Sequence, residues 1–118
     1  DAALPHLKKS PAGRIINIGS LASRNSFSRG VGYNASKFGL LGMTEAMMLD
    51  LRYEGIRVSH IMPGSVDTDF GGRPAGEKEG WALTSEDVSR AVLDLLDYPG
   101  NALPSRVELR PSRPPRKP

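Results

Sequence analysis

The sequence predicts an α/β fold built on a parallel sheet. Three short apolar runs alternate with three segments of helical character, in the order helix, strand, helix, strand, helix, strand. Strands that alternate with helices in this way are typical of parallel sheets. The chain has 118 residues, which is the size of one domain or of part of one.

The first strand is expected at Arg14 to Gly19, after the end of a helix over Asp1 to Lys9. It is short, apolar and rich in isoleucine, like a parallel strand that is buried on both faces. Ser20 follows it directly, so the strand would deliver a hydroxyl at its C-terminal end.

The longest predicted helix runs from Val31 to about Glu54 and ends at Gly55. Small residues recur on it at spacings of four, three and four, namely Ala35, Gly39, Gly42 and Ala46. Bulky apolar residues occupy the neighbouring faces, and a helix apolar over so wide an arc is buried on more than one side. We expect one face to pack on the sheet and another to pack on a second copy of the chain. The predicted partner is therefore the same protein, as a dimer or tetramer held through the 31–54 helix.

The second strand is expected at Ile56 to Met62, and His60 within it is expected to be a structural histidine with satisfied ring nitrogens. The segment from Asp67 to Ala82 contains five glycines or prolines without periodicity, as in a mobile lid. A third helix is expected after Thr84, which would cap it together with Asp87 in its first turn. The third strand is expected at Leu103 to Leu109.

Two segments that are candidates for a ligand site follow neighbouring strands. Ser20 follows the first strand, and Pro63 with Gly64 follows the second. In open parallel sheets, ligands bind outside the carboxyl ends of the strands. A ligand site is therefore expected at this edge of the sheet.

Tyr33 and Lys37 are four residues apart at the start of the long helix, on one face and one turn apart. A cation beside a phenol lowers the pKa of the phenol, which makes it a usable proton donor near neutral pH. The hydroxyl of Ser20 could hydrogen-bond the oxygen that receives that proton. This chemistry suits protonation of a carbonyl oxygen while a hydride reaches its carbon.

Three motifs together resemble the short-chain dehydrogenase/reductase family, in its compact single-domain branch. They are Ile-Asn-Ile-Gly-Ser ending at Ser20, Tyr-x-Ala-Ser-Lys from Tyr33, and the run from Ile61 to Thr68. The resemblance extends from about Ala3 to Pro111. It implies the C-terminal half of a Rossmann-like doubly wound parallel sheet, with the N-terminal half and its Gly-rich loop absent.

The resemblance also implies an NAD(P)-dependent oxidoreductase that interconverts a carbonyl and an alcohol on a small molecule. Its catalytic residues would be Ser20, Tyr33 and Lys37. NAD or NADP would be held by Tyr33, Lys37, Pro63, Gly64, Val66 and Thr68. Relatives often add a catalytic asparagine upstream, which neither Asn17 nor Asn34 matches, and many have a second serine where this chain has Gly19.

Two alternatives stay open. The nucleotide-sugar epimerase/dehydratase branch shares the Tyr-x-x-x-Lys pair, but the Pro-Gly-x-Val-x-Thr segment argues against it. The other alternative is a truncated, non-catalytic chain that acts only through its helix interface. The intact Ser20, Tyr33 and Lys37 argue against a decayed site.

Composition excludes several other classes. The formal net charge is +3, but the last nine residues contain four basic residues and no acid, so the rest is nearly neutral. We therefore expect one domain over residues 1–110, a disordered basic Pro-rich tail over 111–118, and no nucleic-acid partner. Without cysteine there is no disulfide or thiolate metal site, and no metal is expected. No apolar run is long enough to span a bilayer, and the expected location is cytoplasmic.

Overall fold

The computed structural model describes residues 2–21, 31–67 and 80–116, with the backbone alone at residues 31, 33 and 34. In these ranges α-helices and strands alternate along the chain as predicted. The helices are α1 (Leu4–Lys9), α2 (Val31–Leu51) and α3 (Ser85–Leu96), and the strands are β1 (Arg14–Ile18), β2 (Arg57–Pro63) and β3 (Arg106–Leu109). Among the helices of these ranges, none combines the length and the apolar character needed to cross a membrane.

The three strands form one parallel sheet in the order β1-β2-β3, which confirms the predicted sheet. The central strand β2 is buried along all of its length except its first residue. It forms the middle of the apolar core, whose buried members are Ile56, Val58, Ile61, Met62, Leu83 and Leu95.

Helices α2 and α3 cover opposite faces of the sheet. The side-chain amide of Asn17 on β1 donates to the hydroxyl of Thr44 on α2 at 2.9 Å. Arg14, on the same strand, donates through Nη1 to the carbonyl oxygen of Leu95 on α3 at 2.9 Å. Side chains an odd number of positions apart on a strand point to opposite faces. The sheet is therefore wound on both sides, as in a Rossmann-like fold.

The ends of two helices follow their sequence signals. Thr84 and Asp87 form a capping box, in which the Thr84 hydroxyl accepts from the Asp87 N–H at 3.2 Å and the Asp87 carboxylate accepts from the Thr84 N–H at 2.8 Å. Helix α2 continues into a 3-10 turn over Arg52–Glu54, and Gly55 ends it with a φ of 77°. That left-handed conformation favours glycine, so Gly55 terminates the helix as predicted.

Strand β3 begins three residues later than the predicted start at Leu103. Pro104 has no N–H for a ladder, and its carbonyl oxygen instead accepts from the hydroxyl of Ser59 at 2.9 Å. The other two strands lie within one residue of their predicted bounds.

The small-residue stripe of α2 lies on the outer side of the helix, where its four members are exposed. A Cβ added at Gly39 or Gly42 would meet no atom of the described chain within 4 Å. Large apolar residues beside the stripe are also exposed, namely Phe38, Met43 and Leu49. One face of α2 packs on β2, as predicted, and the stripe is left without a partner in the described chain.

The predicted tail begins with a residue that is packed against the fold. Pro111 is half-buried, and its Cδ lies 3.2 Å from the position that a Cβ would take at Gly64. Residues 112–116 form neither helix nor strand. The division into a domain over 1–110 and a disordered tail stays a prediction, with Pro111 in contact with the domain.

Candidate active site

The segments after β1 and β2 begin side by side at the carboxyl edge of the sheet. The Gly19 N–H donates to the carbonyl oxygen of Ile61 at 2.7 Å, and the Gly64 N–H donates to that of Leu109 at 2.8 Å. Ser20 follows Gly19 and is half-buried. The predicted placement of Ser20 and Pro63-Gly64 at one edge is therefore confirmed, while their roles stay a prediction.

Gly64 is enclosed by the segments that follow the other two strands. A Cβ at this position would lie 3.2 Å from Cδ1 of Leu21 and 3.2 Å from Cδ of Pro111. Both distances are shorter than most Cβ contacts in proteins, so a larger side chain here would push one of the neighbouring segments away. The glycine thus lets the residue after Ser20 and the residue after β3 approach the same backbone.

The backbone after Gly64 is pinned to the segment that leads into α3. Val66 and Leu83 form an isolated parallel bridge, in which the Asp67 N–H donates to the Leu83 carbonyl at 2.8 Å and the Leu83 N–H donates to the Ser65 carbonyl at 2.9 Å. Leu83 is buried, which anchors the bridge in the core. Thr68 and most of the predicted lid lie outside the described residues.

The N-terminal part of α2 carries Tyr33 and Lys37 on consecutive turns of one helix. Lys37 is half-buried, and its charge acts on the buried His60 of β2. Lys37 is two turns before Thr44, which contacts β1, so its side chain leaves the helix on the side that faces the sheet. The side chain of Tyr33, and with it the distance from the phenol to Ser20 and Lys37, lies outside the described residues.

Three polar residues, one on each strand, are register partners across the sheet beneath α2, and sequence motifs alone do not reveal this alignment. Asn17 pairs with His60, and His60 pairs with Arg106. Asn17 binds Thr44 on α2, and Arg106 forms an ion pair with Glu45 on the same helix. The sequence shows polar residues within each strand, but the register that aligns these three follows only from the folded sheet.

His60 is the middle member of this row and is fully buried. Within the described ranges neither of its ring nitrogens has a hydrogen-bond partner. No described residue satisfies the ring as predicted, and Asn17 and Arg106, its register neighbours, bond to α2 instead. Burial lowers the pKa of His60 below its ordinary value, an effect that Glu45 opposes and that Lys37 and Arg106 reinforce.

A cavity of about 500 Å³ opens elsewhere, between α3 and the segment that follows β3. Its walls include the turn at 80–83 and three arginines, Arg90, Arg110 and Arg113. Neither Ser20 nor Lys37 lines it, whereas Leu83 and Pro111, which adjoin the Val66 and Gly64 backbone, do. Among the residues that the structure describes, no cluster of three side chains is suited to hold a metal ion.

The family follows from comparison with known proteins. A family model described as short chain dehydrogenase matches residues 1–78. An uncharacterized oxidoreductase of Staphylococcus epidermidis is 31% identical over 111 residues, which cover 93% of this chain and 47% of that protein. The chain belongs to the short-chain dehydrogenase family.

Solved structures agree with this assignment. The closed form of serine dehydrogenase complexed with NADP+ superposes with a TM-score of 0.80 at 32% identity, over 92% of this chain and 48% of that one. An alcohol dehydrogenase from Thermococcus sibiricus complexed with 5-hydroxy-NADP superposes with a TM-score of 0.81 at 27% identity, over 97% of this chain and 48% of that one. The chain thus spans about half the length of the relatives that it matches.

Proposed function

We propose that this chain is the C-terminal half of an NAD(P)-dependent oxidoreductase that interconverts a carbonyl and an alcohol on a small molecule. The observation that carries the proposal is that Ser20 and the Gly64 turn lie at one edge of the sheet, and that the helix carrying Lys37 covers one face of the same sheet. Family membership supports the reaction class, and the NADP complexes of two structural neighbours support the cofactor. The Pro-Gly-x-Val-x-Thr segment argues against the epimerase/dehydratase branch, and the intact Ser20, Tyr33 and Lys37 argue against the non-catalytic alternative.

Each of the three catalytic residues has a distinct role in this proposal. In the reducing direction Tyr33 donates its phenolic proton to the carbonyl oxygen, and in the oxidising direction its phenolate takes the alcohol proton back. Ser20 donates a hydrogen bond to the same oxygen, which carries growing negative charge as the carbonyl is reduced. Lys37 stabilises the phenolate, so that Tyr33 can lose and regain its proton near neutral pH.

The donor groups at this edge fit the nicotinamide end of NAD or NADP. The side chain of Lys37, a half-buried residue, ends in an ammonium, which is a donor suited to ribose hydroxyls. Pro63, Gly64 and Val66 form a turn that is pinned to the core through Leu83. Tyr33 and Thr68 complete the set that the family motif implies. The cofactor, when bound, supplies or accepts the hydride.

We further propose that the enzyme is a homo-oligomer joined through α2. The support is the exposed small-residue stripe on this helix, which is flanked by Phe38, Met43 and Leu49 and has no partner in the described chain. Small residues allow two helix backbones to approach closely, and the flanking side chains would then be buried at the contact.

Cofactor titration of the 118-residue chain against a full-length version tests the function. The chain alone is expected to bind NAD(P) poorly and to be inactive. A Gly-rich turn and the helix N-terminus that follows it normally hold the pyrophosphate, and this sequence contains no such Gly-rich turn. The full-length version is expected to bind the cofactor and to oxidise NAD(P)H in the presence of carbonyl compounds. Micromolar binding with turnover by the chain alone would contradict the half-domain proposal. Absence of binding by the full-length version would contradict the oxidoreductase and favour the non-catalytic alternative.

A further inference from the structure

The imidazole of His60 fills the space beside Gly19, the residue that precedes Ser20. A Cβ added at Gly19 would overlap Nε2 of the ring and would lie 3.0 Å from Cε1 and 3.1 Å from Cδ2. No side chain at position 19 is therefore compatible with His60 in this position. Gly19, directly after β1, and His60 on β2 form a matched pair of a small and a large residue.

The pair lies on the face of the sheet that α2 covers. Gly19 is two positions beyond Asn17, and His60 is the register partner of Asn17, which is bonded to α2. Residues two apart, and residues paired across parallel strands, share a face. The ring is thus packed between the segment that leads to Ser20 and the helix that carries Lys37.

The charged groups that act on His60 come from two elements. Helix α2 contributes Lys37 and Glu45, and β3 contributes Arg106. Glu45 and Arg106 form an ion pair with each other. Because the buried ring has no hydrogen-bond partner in the described ranges, its contribution comes from its shape and from its lack of charge.

We propose that His60 is a positioning residue: its neutral imidazole fixes Gly19, and through it Ser20, relative to the helix that carries Lys37. The proposal rests on the function assigned above to Ser20 and Lys37. These two residues belong to different elements, so their separation depends on what packs between the elements. A displacement of about 1 Å in such a constellation can cost about a hundredfold in rate.

The charge state of the ring makes the stability of the folded protein depend on pH. Burial lowers the pKa of His60 below 6.5, Glu45 opposes the shift, and Lys37 and Arg106 add to it. The unfolded chain then binds this proton more readily than the folded chain. The stability that the folded protein gains from the neutral ring of His60 is fully present above pH 6.5. It is lost as the pH falls through the lower pKa of the folded state. A protonated ring would also add a buried cation beside Lys37.

A double-mutant cycle on the full-length protein tests the packing without reference to activity. Gly19→Ser alone is expected to lower the melting temperature by overpacking, and His60→Ala alone by leaving a cavity. The double variant should lose less than the sum of the two, because the serine enters the space that the ring leaves. Val58→Ala, at another buried position on the same face of β2, is the control. Its decrease in melting temperature should simply add to that of Gly19→Ser. Strict additivity of Gly19→Ser and His60→Ala would overturn the proposal.

The rate of carbonyl reduction, measured from pH 5 to 8, tests the positioning role. His60→Ala is expected to lower kcat by about tenfold to a hundredfold, and Gly19→Ser in the same chain should recover part of it. The native enzyme is expected to lose rate at a pH below 6.5 as the ring takes up a proton, and His60→Gln, whose side chain does not titrate, should lack this acid limb. Val58→Ala should leave kcat and the pH profile unchanged. An unaltered kcat in His60→Ala, or an unaltered acid limb in His60→Gln, would contradict the proposal.

The two proposals can fail separately. If the full-length native protein shows no turnover, the oxidoreductase function fails. The melting cycle still decides whether His60 fixes Gly19, and an NMR titration of the ring protons still decides whether the imidazole stays neutral below pH 6.5.

Discussion

Arg14 on β1 holds the end of α3 through the carbonyl oxygen of Leu95, which accepts from Nη1 at 2.9 Å. The same guanidinium reaches the next carbonyl, that of Leu96, at 3.5 Å. The last carbonyls of a helix have no partner within it, and a cation there also complements the helix dipole. Arg14 thus connects the strand that leads to Ser20 with the helix on the opposite face.

Arg14→Met is expected to destabilise the protein by about 1.5–3 kcal/mol, the usual contribution of a hydrogen bond to a charged group. The aliphatic part of the side chain is kept, so the loss reports on the guanidinium. Urea denaturation of the full-length version measures it. The matched control is Arg90→Met, since Arg90 is exposed on α3 and its carboxylate partner Asp94 lies 3.9 Å away. Equal stabilities of the two variants would show that the Arg14 contacts contribute nothing.

Gly42→Leu should disturb assembly more than it disturbs the fold of a single chain. A Cβ at Gly42 meets no atom of the described chain within 4 Å, so the leucine has room in one copy. If two copies approach through the stripe, overpacking there costs about 1–3 kcal/mol. Analytical ultracentrifugation of the full-length version measures the oligomeric state. Gly100→Leu, at an exposed position away from α2, is the control, and retention of the native oligomer by Gly42→Leu would refute the α2 interface.

Tyr33→Phe should remove nearly all turnover from a full-length version while cofactor binding stays close to normal. The substitution deletes the proton donor and keeps the ring, and general acid–base groups contribute about 10²–10⁴-fold to the rate. Steady-state kinetics and cofactor titration separate the two effects. Tyr53→Phe makes the same chemical change at a residue that is 84% exposed and should be silent. A loss of less than about tenfold would exclude Tyr33 as the acid.

Lys37→Met should move the pH profile of alcohol oxidation upward by about one unit or more. A free phenol titrates near ~10, and bringing it to about 7 needs roughly 4 kcal/mol of stabilisation of the phenolate. One cation at about 5 Å and an effective dielectric of about 20 supplies roughly 3 kcal/mol. Cofactor binding should weaken as well, because the proposed ribose contact is lost.

Two further variants serve as comparisons for the shift of the pH profile in Lys37→Met. Lys37→Arg keeps the charge and loses the compact geometry, so it should preserve the pH profile better than the rate. Lys8→Met removes an ammonium that pairs with Glu54 at 3.4 Å, and it should leave the profile in place. An unchanged pH dependence in Lys37→Met would mean that Lys37 does not set the acidity of Tyr33.

The helices and strands could be predicted well from the sequence, because short stretches of neighbouring residues determine where they begin and end. The Thr84–Asp87 capping box and the left-handed Gly55 each depend on a few neighbouring residues. The candidate edge was predictable for a related reason, since parallel strands bring their carboxyl ends together whatever their detailed packing.

The role of His60 could not be predicted, because it depends on tertiary register. A histidine within an apolar strand usually finds a partner, and only the folded sheet shows that Asn17 and Arg106 are already bonded to α2. The same register brings the ring against Gly19. The later start of β3, by contrast, follows from Pro104, whose missing N–H was visible in the sequence.

The contact of Pro111 with Gly64 has a practical consequence for handling the protein. An affinity tag or fusion partner joined directly after Leu109 would replace a half-buried proline that touches the proposed nicotinamide turn. Such a fusion could lose activity although every catalytic side chain is intact. Additions placed beyond Arg116 leave that contact undisturbed, so assays of the variants above are best carried out on protein labelled there.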